Sequence, residues 1–257
     1  MARPMMATLE RELVLYRRLW QASVFSSFLL PLLFVLSIGV GVGSYIQGGI
    51  GGISYTAYVV PGVLVTTAFQ IAVGESTYPV LGGFKWHRCY HAMRATPVEP
   101  GHMVGGHVIF LALRALIATI CFLIVTSLFG AIESWWAIAT LPVVVLVAVA
   151  SAAPVTAFAA SIENDSYFSL LFRFGLIPAT LFSGVFFPVT QLPEVLRPFA
   201  YVSPLWHGVV LSRAATLGTL SPGENLLTML LHVAYLVLWA VVGLALAVWR
   251  FRKRLQD

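Results

Sequence analysis

Apolar residues run along this chain in long, nearly unbroken blocks. They do not show the alternation of a half-buried strand or the spaced stripe of a surface helix. Six blocks reach the roughly 20 residues that an α-helix needs to cross a hydrocarbon core about 30 Å thick: 24–44, 56–81, 102–129, 136–160, 168–187 and 226–249. They consume most of the 257 residues, so little is left for a globular domain. A closed barrel would instead show alternating segments of about ten residues. The pattern predicts a single all-α membrane domain over 1–257 with six transmembrane helices. The first block is read as a retained span, since it starts late, contains Pro31 and lacks a small-residue cleavage pattern.

Two further helices read as lying outside the spans on one side. Leu9, Leu13, Tyr16 and Trp20 recur at helical spacing with Glu10, Arg11, Glu12, Arg17 and Arg18 on the remaining arc, predicting an interfacial amphipathic helix within 1–23. Between the second and third blocks, glycines precede and Pro97 and Pro100 follow a stretch that predicts a helix over 84–95. On that helix Trp86, Cys89, Tyr90 and Met93 share one arc, and Lys85, His87, Arg88, His91 and Arg94 the other. A short amphipathic helix between two spans suits either anionic headgroups or a docking partner.

Before the last block the chain is punctuated differently. Pro178 lies inside the fifth block and Phe186-Phe187-Pro188 closes it. Pro193 reads as the start of a short helix that Pro198 ends, and Ser203-Pro204 as the cap and first position of a second helix reaching Thr216 or Leu217, with Gly218 as its stop. At about 20 Å the second helix is too short to cross. Residues 188–217 therefore predict a re-entrant helical hairpin that packs among the spans, because backbone at membrane depth must find partners there.

Composition supports this picture and charge orients it. The chain is 59% hydrophobic and 10% charged, with a mean hydropathy of +0.90, which excludes an ordinary soluble domain. Eleven of the 15 Lys and Arg residues precede the first block, follow the last, or lie between the second and third. Cytoplasmic loops retain such residues, so both termini are expected in the cytoplasm and the hairpin outside. Trp20, Tyr78, Trp86, Tyr167 and Trp249 then mark the inner interface, and Tyr45, Tyr55, Trp135, Trp136 and Tyr201 the outer one. The basic pI of about 9.5 follows from topology and calls for no nucleic-acid partner.

Ionisable residues inside spans are costly and usually face protein or water. Glu75 and Arg114 reach similar depth if the second and third spans are neighbours, and they read as a structural pair; Arg173, near the inner end of the fifth, reads as snorkelling toward Glu163 and Asp165. His87, Cys89 and His91 invite a metal reading, but zinc wants three or four supported ligands and only His102 and His107 follow nearby, so no metal site is expected. Cys89 and Cys121, in a basic loop and a span, are not expected to form a disulfide.

The segment Ser183, Gly184, Phe186, Phe187, Pro188, Leu192, Pro193, then Pro204, Leu205, His207 and Arg213, resembles the C-terminal signature of ABC type-2 transporter permeases. It is most similar to the branch exporting nodulation lipochito-oligosaccharides and daunorubicin. The run ESTYPVLGGFKWHRCYHAMRATPVEP, including Ala95 to Val98, resembles the same branch, although Pro79 stands where a small residue is expected. The resemblance implies a permease of a bacterial plasma membrane that pairs with a second, same or similar permease and with two cytoplasmic ATPase subunits. By position, 84–95 would be the coupling helix, with Trp86, Arg88, Tyr90, Met93 and Arg94 docking the ATPase. Phe186, Phe187, Pro188, Leu192, Pro193, Pro204, Leu205 and His207 would form the external gate.

No G-x-x-x-x-G-K-[ST] phosphate loop occurs, so ATP and Mg are expected on the partner and no cofactor on this chain. The resulting expectation is a permease subunit, not itself an enzyme, exporting an amphipathic drug, lipid or lipid-linked saccharide. An ion-driven secondary transporter would show repeats and more interior charges. An intramembrane hydrolase would need a base near Ser76 or Ser183, and Gly74-Glu75-Ser76 lacks the following glycine of a nucleophile elbow.

Overall fold

The computed structural model describes residues 2–37, 41, 49–50, 52–128, 134–218 and 226–256, with backbone alone at 2, 3, 19–28, 30, 31, 34 and 35. The far end of the 24–44 block, Tyr45, Phe129 and the Trp20 side chain lie outside this description. Helices dominate: α1 Ala2–Leu36, α2 Tyr55–Glu75, α3 Tyr78–Lys85, α4 Cys89–Arg94, α5 Pro100–Leu128, α6 Thr140–Ala159 behind a 3-10 turn Trp135–Ala139, α7 Ser166–Phe182, α8 Arg197–Val202, α9 Pro204–Thr216 and α10 Leu226–Gln256. An isolated bridge between Ile50 and Ile53 is the only β pairing among the described residues.

Among the described residues, four stretches are long and apolar enough to cross a membrane: Tyr55–Lys85, Pro100–Leu128, Trp135–Ala159 and Leu226–Gln256. The fifth block makes a shorter helix. α7 stops at Phe182, five residues before the expected end, because Gly184 turns the chain with φ +75° and sends Val185 into the core against Gly62. Within α7, Leu171–Leu176 winds as a π-turn in which the Ile177 N–H bonds the Phe172 carbonyl, five residues back. Pro178 follows at once. A proline cannot donate to the carbonyl four residues earlier and its ring crowds it, and the widened turn makes that room. At the other end of the chain, α1 shows no break near residue 23 between the expected interfacial helix and the start of the first span.

The helices are buried unequally. In the most apolar window of α2 and α3, 78% of residues are inside, against 28% for α10. α2 and α6 are thus the packed centre, touching α5, α9 and each other, while α10 lies along α6 with Leu230, Leu238, Val241 and Leu246 outward. In lipid no hydrophobic force drives helices together, so close packing of small residues has to hold them. Gly243 of α10 sits where a Cβ would fall 2.7 Å from the Pro154 ring and 2.9 Å from the Ala153 methyl of α6. Hydroxyls within the helices turn back on their own backbone: Thr66, Thr119, Thr126 and Ser151 each donate to the carbonyl four residues earlier, at 2.7–2.9 Å. Without water at that depth, this keeps each of these hydroxyls paired.

Pro79 now has a structural account. α2 ends at Glu75, Ser76 and Thr77 break the helix, and Pro79 stands in the first turn of α3. A proline costs nothing there because first-turn N–H groups have no helical acceptor.

Candidate functional site

Two irregular segments lie at opposite ends of α2. The turn and helix after Gly184 meet its first two turns, whereas α3 and α4 follow its last. At 21 residues, α2 separates them by about 30 Å.

At the α3 and α4 end, the expected continuous helix over 84–95 is interrupted. α3 closes at Lys85, Trp86 to Arg88 form a turn, and α4 restarts at Cys89. Arg88 takes a left-handed conformation with φ 48° and ψ 26°, which costs a side-chain-bearing residue roughly 1 kcal/mol. The break folds α4 back so that Tyr90 is 3% exposed, its ring 4.7 Å from Phe84 and 5.0 Å from Phe251 of α10, with Phe84 and Phe251 4.8 Å apart. Gly83 allows this, since a Cβ there would meet the Tyr90 ring at 2.3 Å. Tyr90 is therefore not on the docking surface expected for it; it anchors that surface from within. Trp86, Arg88 and Arg94 are exposed and Met93 is half-buried.

This end is also pinned from two sides. The Arg254 guanidinium stacks 4.6 Å from the Phe84 ring and donates to the Ala159 and Ile162 carbonyls at 3.1 and 2.8 Å, and Lys85 Nζ donates to the Glu163 carbonyl at 3.0 Å. Phe84, Lys85, Arg88, His91, Glu163 and Arg254 line an open groove of about 540 Å³. Four basic or imidazole side chains against one carboxylate make it a basic surface. Among the described residues no group of three or more His, Cys, Asp or Glu is arranged to hold a metal.

At the other end, Ser203 serves both short helices. It terminates α8, and its hydroxyl accepts from the Leu205 N–H at 3.3 Å to cap α9, with Pro204 in the first turn and Gly218 following at φ +71°. Pro198 plays the reverse of its expected part. Residues 194–196 form turns and α8 starts at Arg197, so Pro198 opens the helix it was expected to close. Arg197 ties the preceding loop, donating to the Leu192 and Thr190 carbonyls at 3.0 and 2.9 Å.

α9 is the inserted element. Gly208 lies where a Cβ would fall 2.4 Å from Val147 of α6 and 2.9 Å from Val65 of α2. Arg213 donates to the Gly184 carbonyl at 2.9 Å and the Tyr58 carbonyl at 3.2 Å, with its guanidinium 3.7 Å from the Tyr58 ring centre. The arginine of the signature thus staples the bend after α7 to α9 and α2. His207 Nε2 lies 2.9 Å from the Tyr201 carbonyl and so must donate to it; its Nδ1 then accepts from His232 Nδ1 of α10 at 2.7 Å. Tyr235 stacks on His207 at 3.9 Å and donates to the Val202 carbonyl at 2.6 Å. Of the expected gate residues, Leu192, Leu205 and His207 are buried, Phe186, Phe187, Pro188 and Pro204 are half-buried, and Pro193 is exposed. His232 and Tyr235 escaped the sequence reading because nothing local distinguishes them from other polar residues near a span end.

Between the two ends, Arg114 Nη1 pairs with Glu75 Oε1, and the guanidinium lies 5.2 Å from the Tyr16 ring of α1. α2 and α5 are neighbours, as that pair required. Arg173 differs from expectation: it is exposed on the π-turn, and among the described residues no ion pair joins it to Glu163 or Asp165. Ser183 bonds the Ser203 hydroxyl at 3.2 Å, and Ser76 is buried without a side-chain hydrogen-bond partner, so among the described residues neither bonds the histidine a nucleophile would need.

Comparison with known proteins places this arrangement. Residues 4–217 match the ABC-2 type transporter family. The chain is similar to Nodulation protein J of Rhizobium leguminosarum bv. viciae, 28% identical over 251 residues that cover 97% of this chain and 94% of that protein. It is similar to Nodulation protein J of Rhizobium meliloti (strain 1021), 29% identical over 249 residues that cover 97% and 93%. It also resembles the inner membrane transport permease YadH of Escherichia coli (strain K12), 24% identical over 238 residues that cover 90% and 91%.

Proposed function

The chain belongs to the ABC-2 type transporter family, and from that premise we propose that it exports an amphipathic drug, lipid or lipid-linked saccharide on energy from two separate ATPase subunits. As a permease of this family it is a membrane subunit and not an enzyme, and the family works with an ATP-binding partner. The observation that carries the proposal is the placement of the two irregular segments at opposite ends of α2, one presenting exposed basic residues and the other sunk among the helices.

In this reading six spans cross a bacterial plasma membrane with both termini inside, and the chain pairs with a second permease. Trp86, Arg88, Met93 and Arg94 meet the ATPase, with Tyr90 and Phe251 holding them in place. Closure of the ATPase pair on ATP pushes on 84–95. Because this segment packs on Phe251 and Arg254 of α10, and Arg254 bonds the end of α6, the push tilts those helices as a body. α9 packs on α2, α6 and α10, so their tilt displaces the hairpin and opens the outer side. The resemblance to the branch that exports nodulation lipochito-oligosaccharides favours a lipid-linked saccharide as cargo.

The test is co-purification with the ATPase and measurement of its stimulated hydrolysis. An Arg88→Glu, Arg94→Glu variant should fold normally, lose most ATPase association and lose transport. Normal stimulation in that variant would overturn the docking assignment. A cysteine crosslink between the hairpins of two paired chains should block export without preventing ATPase binding; unimpaired export would remove the gate.

A further inference from the structure

Behind the 84–95 segment, on the side facing α1, lies a second cavity of about 490 Å³. It falls within the roughly 300–1,000 Å³ of small-molecule sites. His107 of α5 lines it, 3% exposed, with neither ring nitrogen hydrogen-bonded among the described residues. Every neutral tautomer of an imidazole carries an N–H, so this buried ring leaves at least one donor unmet.

The acidic group in the lining does not meet that need. Glu12 Oε1 is 4.0 Å from His107 Nδ1, beyond hydrogen-bond reach, and already accepts from Arg11 Nη1 at 2.9 Å. Arg18 stands seven residues after Arg11, two turns along the same face of α1, and has no ion-pair partner among the described residues. His87 enters the lining from the turn between α3 and α4. The cavity therefore holds two guanidinium groups against one carboxylate, and Arg18 and the two imidazoles, whose side chains are unpaired among the described residues, offer donors from α1, the 86–88 turn and α5. Leu15 and Pro79 add apolar wall beside them.

Donors converging from three elements suit a tetrahedral oxyanion better than a planar carboxylate, which one guanidinium fork satisfies alone. We propose that this cavity binds a phosphate group, carried by an anionic lipid headgroup or free in solution, with Arg18 and His107 as its main donors. The apolar wall favours the lipid. The site lies apart from the basic groove and needs no ATPase, so its failure would leave the transport reading untouched.

The test is titration of the full-length chain, purified in detergent, with phosphatidylglycerol, phosphatidylcholine and inorganic phosphate, with bound adducts counted by native mass spectrometry. Phosphatidylglycerol should bind about tenfold tighter than phosphatidylcholine, and Arg18→Gln should remove most of that margin. His107→Gln should do the same. Arg18 is exposed, so Arg18→Gln should leave the melting temperature unchanged and carries the test even if His107→Gln unfolds. Arg252→Gln, an exposed change outside the cavity, should have no effect. Inorganic phosphate binding that depends on Arg18, without a preference for phosphatidylglycerol, supports the site with a free anion as ligand. Equal binding of all three probes by the unaltered chain and Arg18→Gln, or equal losses in Arg18→Gln and Arg252→Gln, would overturn it.

Discussion

The two ends of α2 handle irregular backbone in opposite ways. Around the hairpin the polar groups are spent inside the chain: Arg213 on two carbonyls, His207 on a carbonyl and a second imidazole, Ser183 on Ser203, Tyr235 on the Val202 carbonyl. Around the 84–95 turn the fastening is mainly aromatic, Phe84 and Tyr90 each packed edge to face on Phe251 and tilted against one another, while Lys85, His87, Arg88, His91 and Arg94 stand exposed. One segment satisfies itself and is sealed; the other is held from beneath and leaves its charges outward. That difference is what the proposed roles require, a gate that stays shut until the helices move and a surface that another protein meets.

Substitutions can break this contrast, and the strongest should act at the sealed end. Gly208→Leu places a side chain where even a Cβ meets Val147 and Val65, so it should cost 3 kcal/mol or more, roughly, by overpacking. Thermal unfolding in detergent should show a large drop, and a tolerated leucine would mean that α9 is not seated between α2 and α6. Phe251→Ala should cost about 3 kcal/mol and loosen only the other end. Maleimide labelling of Cys89 should then speed up while a cysteine placed at Pro193 keeps its rate; parallel changes at both would show that the two ends are not held separately.

His232→Phe keeps a ring against Trp206 but leaves His207 Nδ1 without its donor, a loss of about 1 kcal/mol. His207→Phe alone also strips the Tyr201 carbonyl of its donor, so the double variant should lose less than the sum of the two single losses; additive losses would exclude the paired-imidazole bond. The smallest effect should have the opposite sign. Arg88→Gly relieves a left-handed residue and should raise stability by up to about 1 kcal/mol. It should nevertheless weaken ATPase association, and a stabilised variant that docks normally would show that Arg88 is kept for its conformation and not for its charge.

Much of the architecture was legible because it follows from local chemistry. Apolar blocks of spanning length can be counted, Ser203 with Pro204 is a cap and first turn whatever surrounds it, and Glu75 with Arg114 needed only neighbouring helices. Proline was legible as a boundary but ambiguous as to side, which is why Pro198 opens α8 although it was read as closing a helix, and Pro79 opens α3. Tyr90 was misplaced for another reason. Helical periodicity put it on the same arc as Trp86, but the left-handed residue between them breaks the period.

What the sequence determined by itself is the medium and the punctuation: a chain this apolar belongs in a bilayer, and its caps, glycines and prolines set most helix ends. What only the tertiary structure decided is which polar groups meet across long separations, His207 with His232, Arg213 with Tyr58, and Phe251 with Tyr90. The physical reason is that a helix end depends on a few adjacent residues, whereas a buried donor's partner depends on which helices lie side by side. That choice is made by small residues such as Gly208 and Gly243, whose importance is invisible until the neighbouring helix is in place.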